Sequence, residues 1–127
     1  MNISEYMRIE PDDTHVRVEV DGVTIADSRR PMVLREKSYP PRYYLPREDV
    51  RFDLLERTDA SSHCPIKGDA AYFSARVGDT VRENVVWSYE SPIPEAADVS
   101  GLVAFFDEKV DVYLDGELQE RPTTRFS

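Results

Sequence analysis

Cysteine, histidine and long apolar runs are scarce in this sequence, and each scarcity excludes a class of protein. The chain has one cysteine and two histidines in 127 residues. A lone Cys64 cannot form an intramolecular disulfide, and three such residues fall short of the four ligands usual for structural zinc, so we predict no metal and no cofactor. No stretch is apolar enough to span a bilayer, and residues 1–13 do not resemble a secretory signal. We therefore expect a cytoplasmic protein without a membrane partner.

Positive charge is also in short supply. The chain has 16 Lys and Arg against 25 Asp and Glu, which makes its formal net charge -9 and its pI about 4.7. Such a surface repels phosphate backbones, so nucleic acid is not an expected partner. The hydrophobic fraction of 40% is that of a globular protein. We expect one domain over residues 1–127, with residues 1–13 as a flexible lead-in.

Two hairpins are predicted near the ends of the chain. Apolar and charged residues alternate over residues 16–20, and Asp21-Gly22 follows, which is the pattern of a β-hairpin with a two-residue turn. Asp115-Gly116 predicts a second hairpin of the same kind. The chain would then begin and end in antiparallel pairs.

Further segments rich in β-branched and aromatic residues, bounded by Pro, Gly and Asp, predict more strands. They are residues 32–35, 43–45, 50–55, 71–77, 81–89 and 102–106. Residues 94–99 predict a short helix. This pattern is typical of a mainly β fold, either an antiparallel barrel or a sandwich, with one or two short helices. We predict that one core contains Val18, Val20, Phe52, Leu54, Phe73, Val86 and Val112.

The proline-rich segment 39–49 is the first candidate for a site. Its prolines restrict the backbone, which suits a segment that presents side chains accurately. Tyr43 and Tyr44 should point to opposite faces of a strand, one into the core and the other into a surface or cleft. Arg42 and Arg47 could bind a carboxylate or phosphate. Alternatively, Arg47 pairs with a nearby Asp and only stabilises the turn.

The segment 63–69 is the second candidate, because it groups an imidazole, a thiol and an ammonium. We expect a solvent-facing turn beside a cleft. If Lys67 faces the Cys64 sulfur, the thiolate would be favoured and could act as a nucleophile. The alternative is an inert buried cysteine and a surface lysine. Gly68 would permit a positive φ that turns Lys67 toward an anion, but no P-loop precedes it.

The third candidate is Trp87-Ser88-Tyr89. Trp87 and Tyr89 lie two residues apart on a predicted strand, so they share a face and could form a wall for a planar ligand. The alternative is that both rings simply pack in the core.

Segments 39–50, 63–72 and 87–89, followed by 101–106, together resemble the bacterial Domain of Unknown Function 427 family, over the range Gly22 to Gly116. The resemblance implies a single small antiparallel β-barrel of the tent-like type, often dimeric, and no established activity. A nucleotidyltransferase label is sometimes attached to the family, yet this chain has no D-x-D pair for metal ions. Ile66 and Phe106 stand where relatives commonly have Tyr. The blocks of the family fall on Tyr44, Arg47, Asp49, Cys64, Lys67, Gly68, Tyr72, Trp87 and Tyr89.

We therefore expect a protein that binds a small anionic or planar ligand in a cleft formed by these blocks. Arg47 and Lys67 would hold an anion, and the remaining binding residues would be Tyr44, Asp49, Gly68, Tyr72, Trp87 and Tyr89. One alternative is an enzyme that uses the same cleft, with Cys64 or Tyr72 as nucleophile and Lys67 stabilising negative charge. Another is a homodimer whose interface uses the aromatic and proline segments, without any ligand.

Overall fold

The computed structural model of the chain describes residues 7–37, 40–64, 68–90 and 100–121, except for the side chains of Met7 and Cys64. These residues form strands and two short 3₁₀ helices. The strands are β1 (Met7–Pro11), β2 (Val16–Val20), β3 (Val23–Ser28), β4 (Met32–Glu36), β5 (Arg42–Tyr44), β6 (Leu55–Cys64), β7 (Gly68–Val77), β8 (Thr80–Ser88), β9 (Val103–Phe105), β10 (Asp111–Leu114) and β11 (Glu117–Leu118), and the 3₁₀ helices are Arg47–Asp49 and Phe52–Leu54.

The strands form three antiparallel sheets, as the mainly β prediction requires. Their strand orders are β1-β4-β5, β11-β10-β2-β3 and β6-β7-β8-β9. Single bridges connect Leu45 to Val103 and Ala26 to Val50. Within the part of the chain that the structure describes, the three sheets remain separate ladders and do not close into one continuous barrel.

Both predicted hairpin turns are confirmed. Asp21 and Gly22 have φ of 50° and 80°, and Asp115 and Gly116 have φ of 52° and 84°. Positive φ at both central residues is the backbone of a type I′ turn, whose twist matches that of the paired strands. The turns join β2 to β3 and β10 to β11.

Two strands escaped prediction, and one predicted strand is wrong. Residues 50–55 contain the 3₁₀ helix Phe52–Leu54 instead of a strand, and β6 begins only at Leu55. The polar composition of β6 hid it, because this strand lies at the edge of its sheet, where polar side chains can face solvent. Strand β1, within the expected lead-in, pairs with β4 over Met7–Pro11.

Helix in the described ranges is limited to the short 3₁₀ segments. The predicted helix over residues 94–99 lies outside the described residues. No helix in the described part of the chain has the length and apolar character needed to cross a membrane.

The two faces of the sheet β6-β7-β8-β9 pack against different sets of side chains. On one face lies an aliphatic core, which includes Val18, Val20, Phe73 and Val86, with Phe52, Leu54 and Val112 packed against it. The predicted core is therefore confirmed. On the other face lies an aromatic cluster formed by Leu34, Tyr44, Ala70, Trp87, Tyr89 and Ala104, with Ile9, Met32, Tyr72, Leu102 and Phe106 packed against it.

Candidate functional site

A cavity of about 290 Å³ opens over the aromatic cluster. Leu34 and Glu36 of β4, and Pro40 and Arg42 of the segment that follows, line one part of it. The remaining lining is aromatic: Tyr44, Tyr72, Trp87, Tyr89 and Phe106. Four of these aromatic residues are predicted binding residues, so side chains from all three sequence blocks line one cavity.

The aromatic rings pack against one another in defined geometry. Tyr44 and Trp87 meet edge to face at a centroid distance of 6.2 Å, and Trp87 Nε1 donates a hydrogen bond of 3.3 Å to the Tyr44 hydroxyl. The centroids of Trp87 and Phe106 are 4.6 Å apart, and Phe106 stacks with Tyr72 at 6.0 Å. Tyr44 is 1% exposed and Trp87 is 8% exposed. Packing therefore holds these rings in place before any ligand binds.

Strand pairing explains why these residues come together. Tyr72 of β7 lies opposite Trp87 of β8, and Trp87 lies opposite Ala104 of β9. Residues opposite each other in an antiparallel pair point to the same face. The rings of Tyr72 and Trp87 therefore lie side by side on this face, and both line the cavity.

Arg42 places a positive charge at this cavity. Its Cζ lies 5.4 Å from the centroid of the Trp87 ring, a cation–π distance. Its Nη1 lies 3.7 Å from Asp107 Oδ2, and its side chain is 31% exposed. Burial raises the pKa of Asp107, the charge of Arg42 lowers it, and the neighbouring Glu108 raises it further. Arg42 is thus a solvent-accessible cation with a loosely held carboxylate partner.

Two further polar contacts lie at the rim of the aromatic cluster. The Tyr72 hydroxyl is 2.6 Å from Ser62 Oγ, which anchors the polar end of that ring. Lys109 Nζ lies 4.9 Å from the centroid of Phe106 and donates a 3.4 Å hydrogen bond to the Asn84 carbonyl. Phe106 therefore has a cation near its ring, as Trp87 has.

Arg47, the predicted anion-binding arginine, lies on the other face of the sheet. Its Nη1 donates hydrogen bonds to Ser88 Oγ at 3.3 Å and to the Gly101 carbonyl at 3.0 Å. Ser88 follows Trp87 in β8, so their side chains point to opposite faces. Arg47 also pairs with Glu90 at 3.1 Å and lies over the ring of Phe52 at 4.7 Å. The expected convergence of Arg47 with Trp87 is therefore wrong, and the partner of Arg47 is Glu90 rather than a nearby Asp.

Asp49, another predicted binding residue, also lies away from the cavity. Its carboxylate accepts hydrogen bonds from Ser28 Oγ at 2.7 Å and from Arg30 Nε at 3.2 Å. The hydrogen bond from Arg30 is the main cause of the lowered pKa of Asp49, and burial opposes it. These contacts tie the 3₁₀ helix Arg47–Asp49 to the end of β3, so Asp49 has a structural role.

The segment 63–69 is described only in part. Gly68 has the predicted positive φ, at 112°, and lies opposite Cys64 in the pairing of β6 with β7. His63 Nδ1 lies 2.7 Å from Asp69 Oδ1, and both side chains are mostly exposed. Lys67 and the side chain of Cys64, on which the thiol mechanism depends, lie outside the described residues.

Five residues that line the cavity lie outside the predicted binding set: Leu34, Glu36, Pro40, Arg42 and Phe106. For two of them, alternation contained the necessary signal, because Arg42 and Tyr44 are two residues apart on β5 and so share a face. Phe106 follows β9 directly, two residues after Ala104, and shares its face in the same way. Among the residues that the structure describes, no group of three His, Cys, Asp or Glu side chains could hold a metal ion.

The fold and the cavity define a small, mainly β protein with an aromatic cavity beside an arginine. The chain belongs to the family described as Domain of unknown function (DUF427), whose model matches residues 8–116. This range includes every residue that lines the cavity. No curated protein matches the chain by sequence.

Proposed function

We propose that the protein binds a small planar molecule with an anionic group in the cavity over the aromatic cluster. The observation that carries this proposal is the convergence of five aromatic side chains and Arg42 on one opening of about 290 Å³. The aromatic rings would contact the planar part of the ligand, and Arg42 would bind its anionic group.

Size and rigidity support this ligand class. Pockets for small molecules usually enclose about 300 to 1,000 Å³, so the cavity suits a ligand at the small end of that range. Each favourable contact between aromatic rings contributes about 0.5–1.5 kcal/mol beyond the area it buries. Because Tyr44 and Trp87 are already buried and held, binding would order few additional side chains.

Charge supports an anionic group on the ligand. The guanidinium of Arg42 can donate two parallel hydrogen bonds to a carboxylate, sulfonate or phosphate. The net charge of -9 opposes the approach of anions at long range. Salt screens exposed charges beyond about 8–10 Å, so the charges at the cavity itself matter most. They are Arg42 and the carboxylate of Glu36, and the anionic group would bind at Arg42.

The intrinsic fluorescence of Trp87 tests the proposal directly. Trp87 is the only tryptophan of the chain and lines the cavity. We expect a saturable change in its emission when planar anions such as benzenesulfonate or adenosine monophosphate are added. If no anion of such a panel binds more tightly than about 1 mM, equivalent to about 4 kcal/mol, the proposal is wrong.

Two arginines of one segment provide a matched control. Arg42→Gln should weaken binding of the anion about 10- to 100-fold, as expected for the loss of a hydrogen bond to a charged group. Arg47→Gln should leave the affinity unchanged, because Arg47 contacts Ser88 and Glu90 on the opposite face. Equal losses in the two variants would contradict the assignment of Arg42 to the site.

A further inference from the structure

We infer that Asp107 is a specificity-determining residue of the aromatic cavity: its ionised carboxylate neutralises Arg42, and its protonation releases Arg42 to an anionic ligand. Asp107 acts on the cavity described above, so this inference rests on the proposed function. It adds a residue outside the three sequence blocks, and it adds a dependence of ligand choice on pH.

Asp107 is linked to the aromatic cavity through Arg42. It comes directly after Phe106, whose ring centroid lies 4.6 Å from that of Trp87. Its carboxylate lines a second cavity together with Tyr43 and reaches the aromatic cavity by its contact with Arg42. The guanidinium of Arg42 lies close to both cavities: its Cζ is 5.4 Å from the centroid of the Trp87 ring, and its Nη1 is 3.7 Å from Asp107 Oδ2.

The contact between Arg42 and Asp107 is close enough for charge neutralisation and too long for a strong hydrogen bond. Charge-assisted hydrogen bonds between nitrogen and oxygen are about 2.7–2.9 Å long, whereas this pair is separated by 3.7 Å. A guanidinium has five N–H donors, so Arg42 can donate hydrogen bonds to a ligand anion without first breaking a short hydrogen bond. The nearby carboxylate would nevertheless repel that anion while Asp107 is ionised.

The surroundings of Asp107 favour its neutral form. Glu108 is adjacent to it, and Tyr43 and Glu120 line a second cavity together with Asp107. Glu36 lines the aromatic cavity together with Arg42 and adds a further negative charge there. Partial burial of the Asp107 side chain, which is 37% exposed, is the main cause of its raised pKa. The charge of Arg42 lowers this pKa, and the charge of Glu108 raises it. If a ligand anion takes over the charge of Arg42, Asp107 loses its compensating cation, so its pKa should rise further.

The direction of the pH effect follows from this linkage. A group whose pKa is higher in the complex than in the free protein takes up a proton on binding, so the affinity rises as pH falls through those pKa values. The affinity should therefore change at pH values above 3.8, the ordinary pKa of Asp. A neutral ligand of the same shape does not compete for Arg42 and should show no such dependence.

The first experiment compares benzenesulfonate, which stays charged in mildly acidic and neutral buffer, with neutral benzenesulfonamide. We expect the affinity for the sulfonate to rise about three- to fivefold between neutral pH and pH of about 4, because partly exposed ion pairs have modest energies. Asp107→Asn should remove this pH dependence and keep the higher affinity at every pH. Affinity for the sulfonamide should stay constant in both proteins. A sulfonate affinity that is independent of pH would overturn the inference while leaving the proposed function intact.

A second measurement needs no ligand and separates the two proposals. Side-chain carboxyl ¹³C chemical shifts report the titration of Asp107 in the free protein. Arg42→Gln should raise the pKa of Asp107, because Arg42 lowers it in the wild type. Arg47→Gln should leave this pKa unchanged. If Arg42→Gln also leaves it unchanged, the inference fails. If the pKa does respond but neither probe binds at any pH, the proposed function fails and the role of Asp107 in ligand choice fails with it.

Discussion

The two faces of the sheet β6-β7-β8-β9 are built from the same strands, but one face packs the core and the other lines a cavity. On one face, Phe73 and Val86 pack into the aliphatic core, whereas the neighbouring Tyr72 and Trp87 point into the aromatic cluster on the other. The aliphatic core is filled by close-packed side chains from several strands. The aromatic cluster leaves an opening of about 290 Å³ that Arg42 reaches.

The difference shows how adjacent positions in a strand can serve stability and binding separately. Branched aliphatic side chains fill space efficiently, and a packed interior tolerates few voids. Aromatic rings are large and rigid, and the contacts among Tyr44, Trp87 and Phe106 hold the wall of the cavity in a fixed shape. We expect substitutions on the aliphatic face to change the free energy of unfolding most, and substitutions at the cavity to change ligand affinity most.

The largest expected effect comes from Phe73→Ala on the aliphatic face. Phe73 is 4% exposed and meets Phe52 edge to face at 5.6 Å, so its loss should cost about 3–5 kcal/mol of unfolding free energy. Tyr72→Ala, one residue earlier in β7, should cost less than half as much because Tyr72 lines the cavity. Urea denaturation followed by circular dichroism measures both, and equal costs would contradict the comparison.

Next in size is the effect of Tyr44→Phe on the aromatic face. This change removes the acceptor for Trp87 Nε1 while keeping the ring that packs against it. A buried donor without a partner costs about 1–3 kcal/mol, so unfolding free energy should fall by that amount. In a Trp87→Phe background, Tyr44→Phe should cost less, since the donor is then absent. Identical costs in the two backgrounds would mean that this hydrogen bond contributes nothing to stability.

A smaller difference in unfolding free energy should distinguish substitutions of Arg47 and Arg42. Arg47→Gln should lower the unfolding free energy by about 1–2 kcal/mol, because Arg47 holds the Gly101 carbonyl and Glu90 in place. Arg42→Gln should lower it by less, about 0.5 kcal/mol, because Arg42 has a long ion pair with Asp107 and a cation–π contact in place of short hydrogen bonds. The reverse order would indicate that Arg42, and not Arg47, stabilises the fold.

The smallest effect concerns pH and Glu90. The hydrogen bond from Arg57 is the main cause of the lowered pKa of Glu90, with burial opposing it and Arg47 adding to it. A carboxyl with a lowered pKa in the folded state stabilises the protein above its unfolded pKa, and this contribution disappears as pH falls through the folded pKa. Glu90→Gln should therefore lower the unfolding free energy by about 1 kcal/mol at neutral pH. Below pH 4.5, the pKa of Glu90 in the unfolded chain, the stability of this variant should fall less with pH than that of the wild type. The pH profile of thermal unfolding measures this effect, and a Glu90→Gln profile identical to that of the wild type would contradict the prediction.

Local signals account for the parts of the fold that the sequence predicted well. Asp21-Gly22 and Asp115-Gly116 have the backbone preference of a type I′ turn within two residues, so no distant contact is needed to recognise them. Strand β6 carried no such signal. Its exposed polar residues lack the alternation of a half-buried strand, and only pairing with β7 shows that it is one.

Alternation along the chain by itself determined that Trp87 and Tyr89 point to one side of the sheet and Val86 to the other, although β8 ends at Ser88. Tertiary structure decided which arginine joins those rings. Arg42 belongs to β5 and follows its alternation, whereas Arg47 begins a 3₁₀ helix and reaches Glu90, 43 positions further along the chain. Side chains are positioned by partners that are distant in sequence. The energies of such contacts cannot be read from the local pattern of residues. For the same reason Asp107, whose charge depends on Arg42 and on its burial, could be recognised only once the fold had brought them together.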